Sequence, residues 1–214
     1  MVTLAPKAVA RAAAFGWRRA RPRTFTVDGQ EVPYLVALYN STWMNERTIE
    51  VPLARAFIAE RRHGRGLEIG NVLSHYGPVH HRVVDKYEVN PGVENIDALD
   101  VTGSFDWVVS ISTLEHVGWD ETPREEEKVV AAFQRMRSIL AAGGRAFVTC
   151  PVGYNPILDN AITTGRVGPV SDKLFAHDER TNRWSQVGAG YEGPREFDHR
   201  LNRARLLRVA QFGG

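Results

Sequence analysis

Acidic side chains follow short apolar runs in the middle of this sequence. Glu68 lies in "GLEIG", Asp85 ends "RVVD", Asp97 ends "VENID", and Glu115 and His116 come shortly after "FDWVVSIS". Such runs are typical of strands buried on both faces of a parallel sheet. In an open parallel sheet, ligands bind outside the carboxyl ends of the strands. The spacing therefore indicates one ligand site at one edge of the sheet.

Two of these acids suit a nucleoside. Asp85 stands 17 residues after Glu68, and an acid about 20 residues past a glycine turn can accept hydrogen bonds from a ribose diol. Asp97, one strand further on, could accept from an adenine amino group. Gly70 would let the backbone pass close to the ligand. For each acid alone, the alternative is a helix cap or a solvated loop charge.

The turn after Gly70 argues against a pyrophosphate. A dinucleotide turn needs further glycines and a helix N-terminus aimed at the phosphates. Val72, Leu73 and Ser74 stand there instead. NAD and FAD are therefore disfavoured, and a ligand with adenine and ribose but no phosphate, such as S-adenosylmethionine, suits the turn better.

With these motifs in order, residues 64 to about 153 resemble the class I S-adenosylmethionine-dependent methyltransferases. The matching stretches are "GLEIGN", "VVDKYE", "NIDALD", "FDWVVSISTLEHVG" and "ILAAGGRAFVTCPVG". The block "SISTLEHVGWD" is the most specific and resembles the subset that acts on small molecules, sugars and polyketides. The resemblance implies an α/β fold with a Rossmann-like, mostly parallel, seven-stranded sheet, helices on both faces and an antiparallel last strand.

The resemblance also implies site residues. S-adenosylmethionine would be the cofactor and S-adenosylhomocysteine its product. Glu68, Gly70 and Asn71 would contact the methionine end, and Asp85 would bind the ribose. Asp97 and Ala98 would contact the adenine, and Ser112 and Thr113 would form the pocket floor.

Acceptor residues are expected after the fourth and fifth strands. Glu115 and His116 would lie between cofactor and acceptor, and Tyr154, Asn155 and Asp159 in "GYNPILDN" are candidate acceptor contacts. Histidine titrates near neutral pH, so His116 is the candidate general base. The alternatives are a histidine that only hydrogen-bonds the acceptor loop, and an ordinary loop with an Asn-Pro turn.

The leading hypothesis is an enzyme, a methyltransferase that acts on an oxygen or nitrogen of a small molecule of sugar or natural-product type. The alternative is a non-catalytic methyltransferase-like domain that senses the cofactor or binds a partner. A nucleic-acid substrate is disfavoured, because "STLEHVG" stands where an N/D-P-P-Y/F loop or a catalytic cysteine would be expected. No metal is expected, since His75, His80 and His81 lack a zinc spacing; magnesium, which needs one or two carboxylates, stays open.

Local patterns predict the elements that hold these residues. "TFTVDGQEVPYLV" predicts a hairpin turning at Asp28 and Gly29, and Pro52 is placed at the start of a helix that runs to about Arg62. "ETPREEEKVVAAFQRMRSILAAGG" predicts a crossover helix that starts at Pro123, with Thr122 as its cap. The links on either side of Asp97 are too short for full helices, so shortened crossovers are expected.

Composition frames the whole. The 214 residues carry a net charge of +2 and are 43% apolar, as in a soluble globular protein. Cys150 is the only cysteine and no apolar run approaches the roughly 20 residues of a membrane span, so we expect a cytoplasmic protein without a span. Whether it forms a homodimer is left open.

Three regions are expected. Residues 1–24 form a basic arm with six basic and no acidic side chains, which could contact phosphates or lipid, or be a solvated, partly helical extension or a helix over the substrate mouth. Residues 25–63 form a hairpin and helices that cap the same domain. Residues 64–214 form the methyltransferase core.

Overall fold

The computed structural model of the protein describes residues 12–17, residue 20 and residues 23–213. Most of the predicted basic arm, including Lys7, Arg11, Arg18, Arg19 and Arg21, lies outside the described residues. Within the described ranges, no helix is long and apolar enough to cross a membrane.

The strands are numbered in chain order, and the first two form a separate hairpin. The other eight form one sheet: β3 (Gly66–Ile69), β4 (Arg82–Val84), β5 (Val93–Glu94), β6 (Phe105–Ile111), β7 (Leu140–Pro151), β8 (Ser171–Asp178), β9 (Arg183–Val187) and β10 (Leu206–Gly213). Their order across the sheet is β5-β4-β3-β6-β7-β10-β8-β9. The first five in this order pair in parallel, and β10 runs antiparallel between β7 and β8.

The sheet confirms the mostly parallel prediction, but the count of seven strands was wrong. The additional strand is β9, which folds back on β8 and pairs with it antiparallel. Asn182, with φ of 53°, lies in the tight turn between them. The last strand was predicted to be antiparallel, and β10 confirms this prediction, because it pairs antiparallel with both β7 and β8.

The predicted hairpin forms from β1 (Thr24–Val27) and β2 (Gln30–Pro33) as a separate two-stranded sheet. Its turn residues Asp28 and Gly29 have φ of 49° and 83°. Both residue types tolerate positive φ in a hairpin turn. The hairpin turn was therefore predicted at the right residues.

Helix α1 (Arg47–Ala59) begins five residues before the predicted start at Pro52. A proline inside a helix leaves the carbonyl four residues earlier without a partner. That carbonyl belongs to Thr48, and it accepts from the Leu35 N–H at 2.9 Å instead. A long-range bond thus allows the helix to extend past its proline.

Helix α2 (Lys128–Ser138) begins later than predicted, and Thr122 does not cap it. The Glu125 N–H donates to the Gly118 carbonyl, so this segment folds as a loop. The chain enters β7 at Leu140, so Gly143 and Gly144, at the end of the quoted helical stretch, lie in the strand. Helix α3 (Pro156–Thr163) follows β7.

The crossovers on either side of β5 are shortened, as predicted: among the described residues no helix connects β4 to β5 or β5 to β6. Between β3 and β4 the structure has one 3-10 turn, Leu73–Tyr76. The longer crossovers are α2 between β6 and β7, and α3 after β7.

Helices cover both faces of the sheet. In β6, Val108 faces the core under α2 and α3, whereas Trp107 and Val109 face the core under α1 and the hairpin. Alternate residues of a strand point to opposite faces, so both faces of this strand are buried. The polar residues therefore concentrate where the strands end.

Glu50 joins α1 to the carboxyl ends of two strands. Its side chain is fully buried, and its Oε1 accepts from Ser112 Oγ at 2.5 Å and from Thr149 Oγ1 at 2.7 Å. Its Oε2 accepts from Arg47 Nη1 at 2.5 Å. Ser112 follows β6 and Thr149 lies in β7, so this one carboxylate sets the position of α1 over the sheet.

Replacing Glu50 by alanine should lower the free energy of unfolding by about 3–5 kcal/mol, because the Arg47 guanidinium would lose its buried partner. Urea unfolding measures the loss. The matched control is Glu60→Ala at the exposed end of the same helix, expected to change stability by less than about 0.5 kcal/mol. A loss below about 1 kcal/mol for the Glu50 variant would contradict this role.

Candidate functional site

Three adjoining cavities lie at the carboxyl ends of the parallel strands. We name them by one residue each: the Asp97 cavity, about 370 Å³; the Glu88 cavity, about 240 Å³; and the Glu115 cavity, about 100 Å³. Asp85 and Thr113 line the first two, and His116 lines the first and third. The cavities therefore form one continuous site.

A larger cavity of about 640 Å³ lies elsewhere, between α1 and the amino-terminal ends of β3, β4 and β6. Its lining includes Arg62, His80 and Trp107 and none of the predicted site residues. Size alone does not identify the functional site, whereas the acids predicted at the strand ends converge on the smaller cavities.

The turn after β3 requires a glycine at position 70. The φ of Gly70 is 90°, and a Cβ there would collide with the Thr113 side chain. Both Gly70 and Thr113 line the Asp97 cavity. The absence of a side chain thus lets the turn lie directly against Thr113 at the cavity wall.

Carboxylates bind the backbone amides that follow Gly70. Asn71 N–H donates to Asp85 Oδ2 at 3.2 Å, and the N–H groups of Val72 and Leu73 donate to Glu68 Oε1 at 2.9 and 2.8 Å. No amide of these three is left for a phosphate, and Glu68 places a buried carboxylate behind them.

Glu68 therefore serves the turn and lines none of the three cavities. Its second oxygen, Oε2, lies 2.8 Å from His81 Nε2. The structure therefore places the Glu68 side chain among the turn amides and His81, and not at the cavities where a methionine end was predicted to lie. Asn71 does line the Glu88 cavity.

Asp85, the predicted ribose anchor, lines the Asp97 cavity and the Glu88 cavity. Oδ1 accepts from the N–H groups of Tyr87 and Glu88 at 2.9 and 2.8 Å, besides the Asn71 bond to Oδ2. A carboxylate has about four acceptor positions, so one position remains for a ligand.

Sequence reasoning missed Glu88, three residues after Asp85. Its Oε1 accepts from Asn71 Nδ2 at 2.7 Å and lies 3.1 Å from His75 Nε2. The signal was present in the quoted "VVDKYE", whose second acid the sequence analysis left without a role. Glu88 fixes the polar wall of its cavity.

Asp97 lies in its cavity within a cluster of four charges. Lys86 Nζ and Lys128 Nζ are 2.9 and 3.0 Å from Asp97 Oδ2, and both lysines also contact Glu121. Burial opposes ionisation, but the Leu99 N–H and the two lysines outweigh it and lower the pKa of Asp97 to about 2. Among the residues that the structure describes, Oδ1 accepts from the Leu99 N–H alone, so it is the oxygen left for a ligand.

The remaining predicted cofactor residues, Ala98, Ser112 and Thr113, line different cavities. Ala98 is buried and lines the Asp97 cavity, and Thr113 lines that cavity and the next. Ser112, with φ of 38°, bonds Glu50 and lines the Glu115 cavity instead. It is therefore nearer the predicted acceptor side than the cofactor floor.

His116 belongs to a hydrogen-bonded trio at the cavity mouth. Its Nδ1 lies 2.5 Å from Asp120 Oδ2, which also accepts from Tyr154 OH at 2.5 Å. With Nδ1 donating, Nε2 is left to accept a proton. Asp120 was not predicted, although its spacing of four residues from His116 was the signal.

Glu115 is 1% exposed, and neither of its carboxylate oxygens has a hydrogen-bond partner among the described residues. Burial raises the pKa of Glu115 well above its usual value. Glu46 lines the same cavity; burial and then the charge of Glu50 raise the pKa of Glu46 to about 7. Arg47, between these acids, is paired with Glu50.

Two predicted acceptor contacts serve the fold. Asn155 Oδ1 accepts from the Ile157 and Leu158 N–H groups and caps α3, and its Nδ2 donates to the Glu115 carbonyl. Asp159 accepts from Gly153 N–H at 2.7 Å. Neither lines a cavity of the site, whereas Tyr154 does.

No cluster of three or more histidine, cysteine or acidic side chains suited to a metal ion occurs within the ranges that the structure describes.

Comparison with known proteins adds a likeness of fold. No family model matches the chain, and no curated protein matches it. Among solved structures, the chain is similar to the N-methyltransferase NodS of Bradyrhizobium japonicum with S-adenosylhomocysteine, at 13% identity and TM-score 0.42, covering 78% of this chain and 90% of that one. It is also similar to a possible histamine N-methyltransferase of Thermotoga maritima, at 14% identity and TM-score 0.42, covering 69% and 82%.

A third solved structure is the 1,6-didemethyltoxoflavin-N1-methyltransferase of Burkholderia thailandensis, at 14% identity and TM-score 0.41, covering 100% of this chain and 93% of that one. Likenesses at these values do not distinguish one chemistry from another. The function has to be argued from the residues of the site.

The charge cluster predicts a pH dependence of stability. The pKa of Asp97 is lower in the folded chain than its usual 3.8, so its contribution is present above pH 4 and is lost as the pH falls towards 2. Asp97→Asn should lower the unfolding free energy at pH 7 by about 1–2 kcal/mol after solvent screening.

Urea unfolding from pH 7 to pH 3 tests this dependence, with exposed Asp100→Asn as control. The deficit of the Asp97 variant should narrow on acidification, and that of the control should stay near zero. A deficit that is constant over this range would show that the ion pairs do not stabilise the fold.

Proposed function

We propose that this chain is an enzyme that transfers a methyl group from S-adenosylmethionine to an oxygen or nitrogen of a small molecule. The observation that carries the proposal is the position of His116, which lines both the Asp97 cavity and the Glu115 cavity. A group held in either cavity therefore meets the same imidazole.

The residues present fit the cofactor. The Asp97 and Glu88 cavities together have the size of a small-molecule site, and Asp85 lies where they meet. Adenine would lie beside Ala98 and Asp97, and ribose at Asp85. The methionine end would lie in the Glu88 cavity near Asn71, because that cavity continues from Asp85.

The amides after Gly70 support a ligand without phosphates. The N–H groups of Asn71, Val72 and Leu73 are bonded to carboxylates, so a pyrophosphate would find no donors there. A nucleoside that carries a sulfonium is not repelled by the nearby acids. This favours S-adenosylmethionine over NAD or FAD.

The bound cofactor would supply a methyl group on a good leaving group. The chain then has to align the acceptor, exclude water and receive a proton. His116 Nε2 can take that proton, since Asp120 holds the Nδ1 hydrogen and stabilises the imidazolium. The hairpin and α1, residues 25–63, would form the cap over the acceptor side.

Asp85→Ala should weaken S-adenosylhomocysteine binding by roughly 10- to 100-fold, the loss expected for hydrogen bonds to a charged group. Isothermal titration calorimetry of the purified chain measures it. The control is Asp100→Ala, with an exposed acid outside the cavities. NAD should not bind either protein.

Thermal melting first confirms that the Asp85 variant is folded, since Asp85 also holds the Asn71, Tyr87 and Glu88 amides. Equal binding by folded wild type and variant would remove Asp85 as the ribose anchor. A folded wild type that binds neither S-adenosylmethionine nor its product would overturn the proposed function and favour a partner-binding domain.

His116→Gln should lower kcat about 10²–10⁴-fold and leave S-adenosylhomocysteine affinity nearly unchanged, because the imidazole acts on the proton of the acceptor. The assay is methyl transfer to an acceptor found by screening small amines and alcohols. Exposed His80→Gln is the control. A variant with wild-type kcat would make His116 a structural residue only.

A further inference from the structure

The Glu115 cavity is polar and small, and it adjoins His116. Segments from four parts of the chain form it: the loop before α1 and its first residues, the turn after β6, the loop after β7, and the segment between β9 and β10. Its lining includes Glu46, Arg47, Glu115, His116 and Tyr154.

Glu115 lines this cavity and carries an unpartnered, buried carboxyl group. The residue is 1% exposed, and both oxygens lack hydrogen-bond partners among the described residues. The His116 imidazole lies beside it, with Nε2 3.8 Å from Oε1, which is longer than a hydrogen bond. A buried polar group left in this state costs free energy unless a ligand satisfies it.

Carboxyl groups outnumber guanidinium groups around the cavity. Three buried carboxyl groups, those of Glu46, Glu50 and Glu115, lie near one guanidinium, that of Arg47. Arg47 pairs with Glu50, which also takes the hydroxyls of Ser112 and Thr149. Glu46 Oε2 accepts from the Ala204 N–H at 3.0 Å. The guanidinium at the cavity is therefore already paired, and Glu115 has acceptor capacity that no cation uses.

We infer that the Glu115 cavity binds the amino group of the acceptor, so that the methylated atom is nitrogen. This inference rests on the proposed function and names its substrate class, a small primary or secondary amine. An ammonium offers several donors to the two oxygens of Glu115, whereas a hydroxyl offers one.

The size of the cavity sets how much of the acceptor enters. Its volume of about 100 Å³ is roughly that of three waters at about 30 Å³ each. It holds an amino group with one or two carbons, and the rest of the acceptor extends past His116 and Tyr154 towards the mouth.

The proton balance is simple. The bound ammonium gives one proton to His116 Nε2, which leaves a neutral amine with a lone pair. That pair forms the new carbon–nitrogen bond, the carbon–sulfur bond breaks, and its electron pair stays on sulfur. The product is a methylated ammonium, and the imidazolium at Asp120 returns its proton to solvent.

Binding should couple to protonation of Glu115. Burial favours the protonated form of the Glu115 carboxyl group, whereas an entering ammonium favours its ionised form, so binding should release protons. Affinity should therefore rise with pH and fall once the free amine itself loses its proton. The titratable and charged groups that face Glu115 are Glu46, Arg47, Glu50, His116, Cys150 and Tyr154.

The test is calorimetric titration of the full chain with ethylammonium chloride, with ethanol as the neutral probe of matched size. Wild type should bind ethylammonium and release protons, seen as a dependence of the heat on the ionisation enthalpy of the buffer. Glu115→Gln should bind it at least about tenfold more weakly and lose the proton release. Glu60→Gln, exposed on the same protein, should bind like wild type.

Thermal melting checks that Glu115→Gln is folded, and S-adenosylhomocysteine titrated in parallel separates the two proposals. If that nucleoside binds and ethylammonium does not, the methyltransferase function stands and this inference is overturned. Equal ethylammonium binding by Glu115→Gln, or ethanol binding as tight as ethylammonium, also overturns it. Ethylammonium binding that depends on Glu115 without nucleoside binding upholds the amine site and rejects the function.

Discussion

The site depends on one buried carboxylate that joins elements distant in the sequence. Glu50, inside α1, takes hydrogen bonds from Ser112 after β6, from Thr149 in β7 and from Arg47 one turn earlier on its own helix. Since parallel strands end at the same edge, fixing α1 there closes the site from above. The same carboxylate pairs with Arg47, which lines the Glu115 cavity.

The acids at the strand ends have different roles. Glu68 and Asp85 accept hydrogen bonds mainly from backbone amides and so shape the turn. Asp97 is held ionised by two lysines. Glu115 alone keeps both oxygens unused among the described residues. Similar side chains at successive strand ends thus differ in chemistry because their hydrogen-bond partners differ.

Much of this arrangement was predictable. The apolar runs indicated parallel strands, and strand ends necessarily gather Asp85 and Asp97 at one edge. The start of α1 was not predictable, because the partner that compensates for Pro52 is the distant Leu35 N–H. The role of Glu50 was hidden for the same reason: its bonds to residues far along the chain leave no local pattern, and an acid within a helix usually faces solvent.

Both margins of the eight-stranded sheet are blunted, and this bears on how copies of the chain could associate. On one side β5 has only two residues. On the other, the Trp184 N–H of β9 donates to Tyr34 OH at 2.8 Å, so a side chain next to the hairpin takes the place of a further strand. An open strand edge recruits strands from neighbouring molecules, and at these two margins the short strand and the bonded N–H group limit such pairing. The margins of the eight-stranded sheet therefore disfavour a dimer that continues its β-ladder from one subunit into the next.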